Sequence, residues 1–558
     1  MDLIVFENNK PLVLQGLENG EFDYMEAASE VFETEFFKYI GAKKILELAA
    51  KTYPTPRKKE EVPLWFYIAS ELTMRLHGVH SFHSYPMVVR TGGMVNAFSP
   101  KASEPVLHPE TEDTTLACNG FNLKNHYDRE TPCDQDFLRK LAKGTDAEKL
   151  TQWFNNDVAR IFRSQRALDK DGIYIGDASY LFVPDNPKYE GSKRLLFDEN
   201  NHPVSQKDME KMSDVRKIKC QWKRCYKIVT LLHTNAKQEF FYLIGVKVVS
   251  GEAHECPLLY ELVKEFVDAV GKDVIKKLIL DRGFLDGEKI ARCKKEYGIN
   301  VLIPMRKNME IYTDAMALFR RPDVKWVAYE EPQRETTMPV RLKPIAIRKR
   351  EQKRQETLKA RKQEQPSTPP DMVMVKKEAA AIGEFTSWTT CTVPLTVIAN
   401  RELYADGHEE IWLLLSTEQI SDPTVAAKEY HLRTTIEERY RQLKCFSDLA
   451  KFTSRSLSLV TNHIIFTIMA YNLLQLYLLR KKGEELIRKT PLSIRQELLP
   501  ADNHIIIFRE NYYALFTSLE LIQLMTIGIS DEARKKIGEK CQRMRHELPG
   551  LMSKPRSP

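Results

Sequence analysis

The chain has 558 residues, and 84 Lys and Arg against 77 Asp and Glu leave a net charge of only +7. That balance excludes a uniformly basic nucleic-acid coat and confines any phosphate contact to local patches. The length implies several domains, and the nine cysteines lack paired zinc spacing, Cys220 and Cys225 having no matching pair, so reduced thiols in a cytoplasmic setting are expected.

In chain order, the first residues carry no basic segment ahead of an apolar one and are not expected to form a signal peptide. Residues 63–76 read as a helix. Thr145 and Glu148 make a capping box that opens another helix, running to Leu168. His77, His80 and His83 mimic metal spacing, but no cysteine or acid cluster joins them, so they read as ordinary histidines. Residues 1–168 are therefore expected to be a mostly helical domain, without a legible helix-turn-helix.

The next stretch changes character. Residues 172–183 are apolar and aromatic-rich, of strand type, and carry Asp177. Two further strands, 226–233 and 239–249, are predicted to pair antiparallel with it. A helix over 257–270, a strand over 274–281 ending on Asp281, a helix over 285–297 and a strand over 300–305 follow. The order β-β-β-α-β-α-β predicts an α/β fold. An acid at the end of a buried strand lies where α/β proteins keep their sites. β-prone segments at 324–329 and 385–393 flank a basic, helix-prone run at 348–362 and a proline-rich stop. The expectation is a β-rich insertion over 306–416 with a protruding linker at 346–372, too polar to order itself. Trp412 lies on a short strand at the end of this region.

Residues 430–444 say the most. On one helix, Tyr430, Arg433, Glu437 and Lys444 would share a stripe about 60° wide, with Leu432, Ile436 and Leu443 packing inward. A carboxylate can hold a hard metal ion, and Arg and Lys can hold phosphates. A stripe of this kind is ordinarily a solvated face. The two aspartates change that weighting, because three clustered carboxylates repel one another unless cations sit among them. Glu438 is the rival third acid, about 100° further round the helix. The run 457–479 is long enough to span a bilayer, but Asn462, His463, Asn472 and Gln475 favour a buried core helix and no membrane partner. Residues 483–558 are expected to form a C-terminal helical region serving dimerisation or DNA contact.

This set of residues resembles the DDE transposases of bacterial insertion sequences, in the subgroup marked by Tyr-x2-Arg-x3-Glu-x6-Lys. Every spacing is intact at 430–444, Asp281 to Phe284 resembles the second-aspartate motif, and Asp177 sits in a looser version of the first. The resemblance implies a ribonuclease-H-like core, split into 169–305 and 417–482 by the insertion. It implies two Mg²⁺ ions, for which Mn²⁺ can substitute, held by Asp177, Asp281 and Glu437. It implies cleavage at the ends of an insertion sequence and joining of the freed 3′-hydroxyls to target DNA. Arg433 and Lys444 would grip phosphates, Tyr430 would brace the strand, and Trp412 would stack on a flipped base. The partners implied are the terminal inverted repeats, bound by the N-terminal region, target DNA, and a second copy of the chain in a DNA-bound homodimer at the nucleoid. Two other classes stay open: a ribonuclease-H-like nuclease without strand transfer, and a catalytically idle DNA-binding descendant.

Overall fold

A computed structural model of the protein describes residues 7–28, 31–59, 62–89, 104–107, 109–110, 114–117, 121, 132–330, 374–481, 483, 486–487, 494, 504–510 and 512–544. Its centre is one ten-stranded sheet. In chain order these strands are β1 (Ile173–Val183), β2 (Lys193–Phe197), β3 (Gln221–Thr234), β4 (Tyr242–Ser250) and β5 (Lys277–Ile279). They continue as β6 (Asn300–Pro304), β7 (Val327–Ala328), β8 (Met374–Phe385), β9 (Leu395–Tyr404) and β10 (Glu409–Ser416). Across the sheet the order is β7-β8-β9-β10-β6-β5-β1-β3-β2, with β4 also paired to β3. β1, β5 and β6 run parallel in the middle. β3 lies antiparallel to β1, and β4 antiparallel to β3.

Helices cover both faces of the middle strands. Helix α1 (Glu255–Val270) packs on one face, where glycines let it come close. A Cβ on Gly176 would lie 2.6 Å from Leu259, and one on Gly245 would lie 3.0 Å from Leu262. Helix α2 (Gly287–Tyr297) bridges β5 and β6. Because side chains alternate along a strand, Asp177, next to Gly176, points to the opposite face. There Tyr440 reaches the strand, its hydroxyl sharing a hydrogen bond with Thr230 and donating to the Asp177 carbonyl. Tyr440 belongs to the pair α3 (Pro423–His431) and α4 (Thr434–Phe446).

The apolar run is one helix, α5 (Leu457–Arg480), long and apolar enough to cross a membrane, and most of it is buried inside the protein. Asn462, His463, Asn472 and Gln475 on this helix all have protein partners. Asn472 brackets Leu243, accepting from its N–H at 2.9 Å and donating to its carbonyl at 2.7 Å. Asn155 does the same for Val246. Two asparagines thus occupy backbone groups of β4 that would otherwise sit unpaired at a sheet edge. Asn462 donates to Glu71 and His463 contacts Arg75. Gln475 donates to the Ile487 carbonyl. The buried Glu71–Arg75 pair, 2.8 Å apart, lies on the N-terminal helix Leu64–Leu76 and ties that region to α5.

In the 306–416 region, β8, β9 and β10 join the main sheet through the β10–β6 pairing, so the region widens that sheet and carries Trp412 on it. The linker at 346–372 lies outside the described residues. The C-terminal region is not simply helical. Strands His504–Arg509 and Tyr512–Thr517 form a hairpin that pairs with Tyr24–Ala28 and Glu7–Asn8 from the other end of the chain, followed by helical residues 518–528 and Asp531–Met544. The β-branched and aromatic run from Ile505 to Phe508 suits a strand; one of its neighbours, Tyr512–Thr517, is local, while the other, Tyr24–Ala28, is almost the whole chain away. His77 pairs with the buried Glu33, and His80 with Asp448.

Candidate active site

Three carboxylates meet at the carboxyl edge of the central strands. Asp177 projects from the middle of β1 and accepts from the Ala178 N–H at 2.9 Å. Asp281 follows β5, where the strand gives way to a short turn over Arg282–Phe284, and accepts from the Arg282 N–H. Glu437 lies in the first turn of α4. Between them sits the Arg433 guanidinium. Its Nη1 donates to Glu437 Oε1 at 2.9 Å, and its Nη2 lies 3.4 Å from Asp281 Oδ2 and 4.0 Å from Asp177 Oδ2. The Glu437 side chain is 57% exposed, Asp281 37% and Asp177 13%. The cluster therefore runs from solvent at Glu437 to near burial at Asp177.

The helix carrying the stripe is not continuous. It breaks between α3 and α4, so Tyr430 and Glu437 sit on different helices and Arg433 lies at the joint. At the break the backbone bonds shorten to three-residue turns, Arg433 to Tyr430 and Ile436 to Arg433. The tandem threonines give the reason. Thr434 Oγ1 donates to the His431 carbonyl and Thr435 Oγ1 to the Leu432 carbonyl, and such back-bonding bends helices. Leu432, Ile436 and Leu443 are buried, as the apolar spacing requires.

Lys444 departs from the expected stripe. Its ammonium turns inward and donates to Ser179 on β1 at 2.7 Å. Burial lowers its pKa to about 8, against the opposing pull of Asp177. Burial also pushes the Asp177 carboxyl up to about 7, with Arg433 and the Ala178 N–H holding it down and the two other acids pushing it further up. Burial opposes the charge on Arg433, but the neighbouring Asp177, Asp281, Tyr430 and Glu437 together hold it above its usual value. Glu438, the rival acid, pairs with the fully buried Arg439 at 2.9 Å, whose guanidinium lies 4.2 Å from the Phe241 ring.

Trp412 is half-buried, its ring 5.8 Å from that of Tyr430. Both line a pocket of about 280 Å³ that Arg433, Arg282, Lys307 and Tyr312 also line, near the lower end of the roughly 300–1,000 Å³ range of ligand pockets. The structure thus sets a flat aromatic pocket directly beside the carboxylates. Lys277 on β5 holds α3 in place by pairing with Glu418 and Glu429. Sequence reasoning missed Ser179, Tyr440, Arg282 and Lys307. Only Ser179, two residues from Asp177 on the same strand face, carried a signal that could have found it.

The donor set fits a hard divalent cation, since it consists of carboxylate oxygens and already gathers round a positive charge. That charge is the guanidinium, and each acid touches it at a different place. As arranged, no three carboxylates, histidines or cysteines among the described residues are close enough to hold one ion.

The Transposase DDE domain family matches residues 189–473, slightly more than half of the chain. The protein belongs to this family of DDE transposases. The matched span includes Asp281, Trp412 and the whole 430–444 segment, while Asp177 lies just before it. No curated protein matches the chain.

Proposed function

We propose that this transposase cuts the ends of a bacterial insertion sequence and joins the 3′-hydroxyl ends to target DNA, and that it belongs to the Tyr-Arg-Glu-Lys subgroup. The observation that carries the reading is the meeting of Asp177, Asp281 and Glu437, from three distant parts of the chain, around one guanidinium. The strand order β4-β3-β1-β5-β6, with the first three antiparallel and the last two parallel to β1, supports a ribonuclease-H-like core. β7 to β10 then form the insertion that extends it.

Asp177, Asp281 and Glu437 would hold two Mg²⁺ ions, which when bound would supply activation of the attacking oxygen and stabilisation of the leaving one. The chain's own residues position the DNA. Arg433 presents a planar donor fork that matches a phosphate. Trp412 and Tyr430 offer flat faces to a base unstacked at the cleaved end, and Arg282 and Lys307 place positive charge on the same pocket. Lys444 steadies β1 through Ser179 and reaches a phosphate only by leaving that bond. The N-terminal helices supply contact with the terminal repeats, and two copies act together on the paired ends, in the cytoplasm at the nucleoid.

The test uses linear DNA carrying the inverted repeats that flank the gene. Asp177→Ala, Asp281→Ala and Glu437→Ala should each lose cleavage and joining while keeping end binding. Pre-cut ends separate strand transfer from hydrolysis alone. An active Glu437→Ala protein would end the assignment, and joining absent from pre-cut ends would reduce the activity to a nuclease.

A further inference from the structure

The carboxylate cluster holds a cation of its own, and the quality of that hold is informative. Of the three approaches to Arg433, only the one to Glu437 is a hydrogen bond of ordinary length, at 2.9 Å; Asp281 and Asp177 lie at 3.4 and 4.0 Å. Arg433 Nε is buried with no hydrogen-bond partner among the described residues. The guanidinium neutralises the acids by position and leaves much of its bonding capacity unused. A buried, partly unsatisfied donor gains by finding a better acceptor. Three carboxylates in one place need a cation whether or not DNA is present.

Resting on the assignment of the three acids as metal ligands, we propose that Arg433 is a placeholder cation. It occupies the space that divalent ions must take, and a DNA phosphate is the acceptor that draws it out. Metal and DNA then bind with positive coupling through one side chain. A guanidinium wedged among the ligands opposes metal entry by volume and by charge. Once it turns to a phosphate, the same three carboxylates are left with excess negative charge and open to an ion. By linkage the effect is reciprocal, so the metal also strengthens DNA binding. Glu437 is central to the exchange, being the acid with the shortest bond to Arg433 and the most exposed. The aromatic pocket adjoins the same guanidinium, so a strand end seated there brings phosphates within its range.

The experiment measures free Mn²⁺ by electron paramagnetic resonance, with the full chain, in the presence and absence of a short blunt duplex, subtracting the uptake by DNA alone. In the wild type, duplex should tighten Mn²⁺ binding by about 5–150-fold, the usual span of such coupling. Arg433→Ala and Arg433→Gln should bind Mn²⁺ more tightly than the wild type without DNA and lose most of the coupling. Arg433→Lys keeps a charge and the fold, but a single ammonium cannot span three acids, so it should fall between. The inference is overturned if the Arg433 variants bind Mn²⁺ no more tightly than the wild type without DNA, or if duplex tightens binding equally in all of them. Asp281→Asn and Glu437→Gln separate that failure from a wrong ligand set. If they abolish Mn²⁺ binding while the Arg433 variants leave it unchanged, only the placeholder role fails. If they leave Mn²⁺ binding intact, the metal-ligand assignment fails as well.

Discussion

Two clusters that mix acids and bases, one buried in the helices and one at the site, are built differently. The first joins Glu71, Arg75, Asn462 and His463 between the N-terminal helices and α5. Glu71 accepts from Tyr67 and Asn462 on one oxygen and pairs with Arg75 on the other. Arg75 spends its second Nη on the Val79 carbonyl and His463. Both charged side chains are at most 3% exposed. The second cluster has more acid than base, long contacts and an opening to solvent at Glu437. In the first cluster both Glu71 oxygens and both Nη groups of Arg75 are engaged, leaving only Arg75 Nε without a partner among the described residues, and so closely bonded a buried network fixes one arrangement of the chain. A cluster left short of positive charge and hydrogen bonds is where a further ion or substrate has something to gain.

Substitution separates the two clusters most sharply. Asp281→Asn should lower DNA cleavage by about 10³-fold or more, the loss of several kcal/mol of transition-state stabilisation, with little change in the urea midpoint. Glu71→Ala should do the reverse. It strands the buried Arg75 and should lower stability by about 3–5 kcal/mol, read by urea unfolding, while protein that remains folded still cleaves. If Asp281→Asn unfolds the chain or Glu71→Ala leaves its stability intact, the division between the two clusters is wrong.

A smaller effect comes from a buried group with both of its polar atoms bonded. His233 is fully buried, with Nδ1 donating to the Ile173 carbonyl and Nε2 accepting from the Asp169 N–H. Burial lowers its pKa to about 4, partly offset by the Ile173 bond and Asp169. The unfolded imidazole titrates near 6.5, so between these values the unfolded chain binds the extra proton. The stability His233 supports is fully present above about pH 6.5 and falls as pH drops toward 4, by about 3 kcal/mol in all. Urea midpoints across that range should slope accordingly, and His233→Asn should flatten the slope. An unchanged slope in the variant would remove His233 from the acid response.

What the sequence disclosed about these sites followed the physics of local pattern. Asp281 could be found because a β-rich run stops at it, and Asp177 because it interrupts an apolar strand. Asn472 and His463 marked α5 as a buried helix before their partners were known. The break at Arg433 was hidden, since the spacing of Tyr430, Arg433, Glu437 and Lys444 is equally good on one straight helix. Only the hydroxyls of Thr434 and Thr435, bonding back along the chain, divide it. Lys444 could not be oriented because its acceptor, Ser179, comes from a strand far away in sequence. The terminal sheet is illegible for the same reason, since the hairpin of residues 504–517 is completed by Tyr24–Ala28 and Glu7–Asn8 from the opposite end of the chain. Long-range pairing leaves little local trace, and the side of a helix on which a lysine finds an acceptor leaves none.

The finest test concerns Trp412, where the aromatic wall meets the unsaturated cluster. An indole on a strand is usually a core residue, but this one is half-buried and lines the pocket with Tyr430. A base turned out of the stack needs a flat apolar partner, and such stacking contributes about 1–3 kcal/mol per base. Trp412→Ala should therefore slow one step by roughly 5- to 150-fold and leave the fold alone. That step should be the second-strand cleavage, which follows distortion of the strand end, and the first nick should change less. Because an abasic end needs no unstacking, it should recover part of the lost rate. Trp412→Phe keeps a ring and should lose less than Trp412→Ala. Equal slowing of both steps, with no recovery on an abasic end, would return Trp412 to the core of the sheet and leave the pocket without a base to hold.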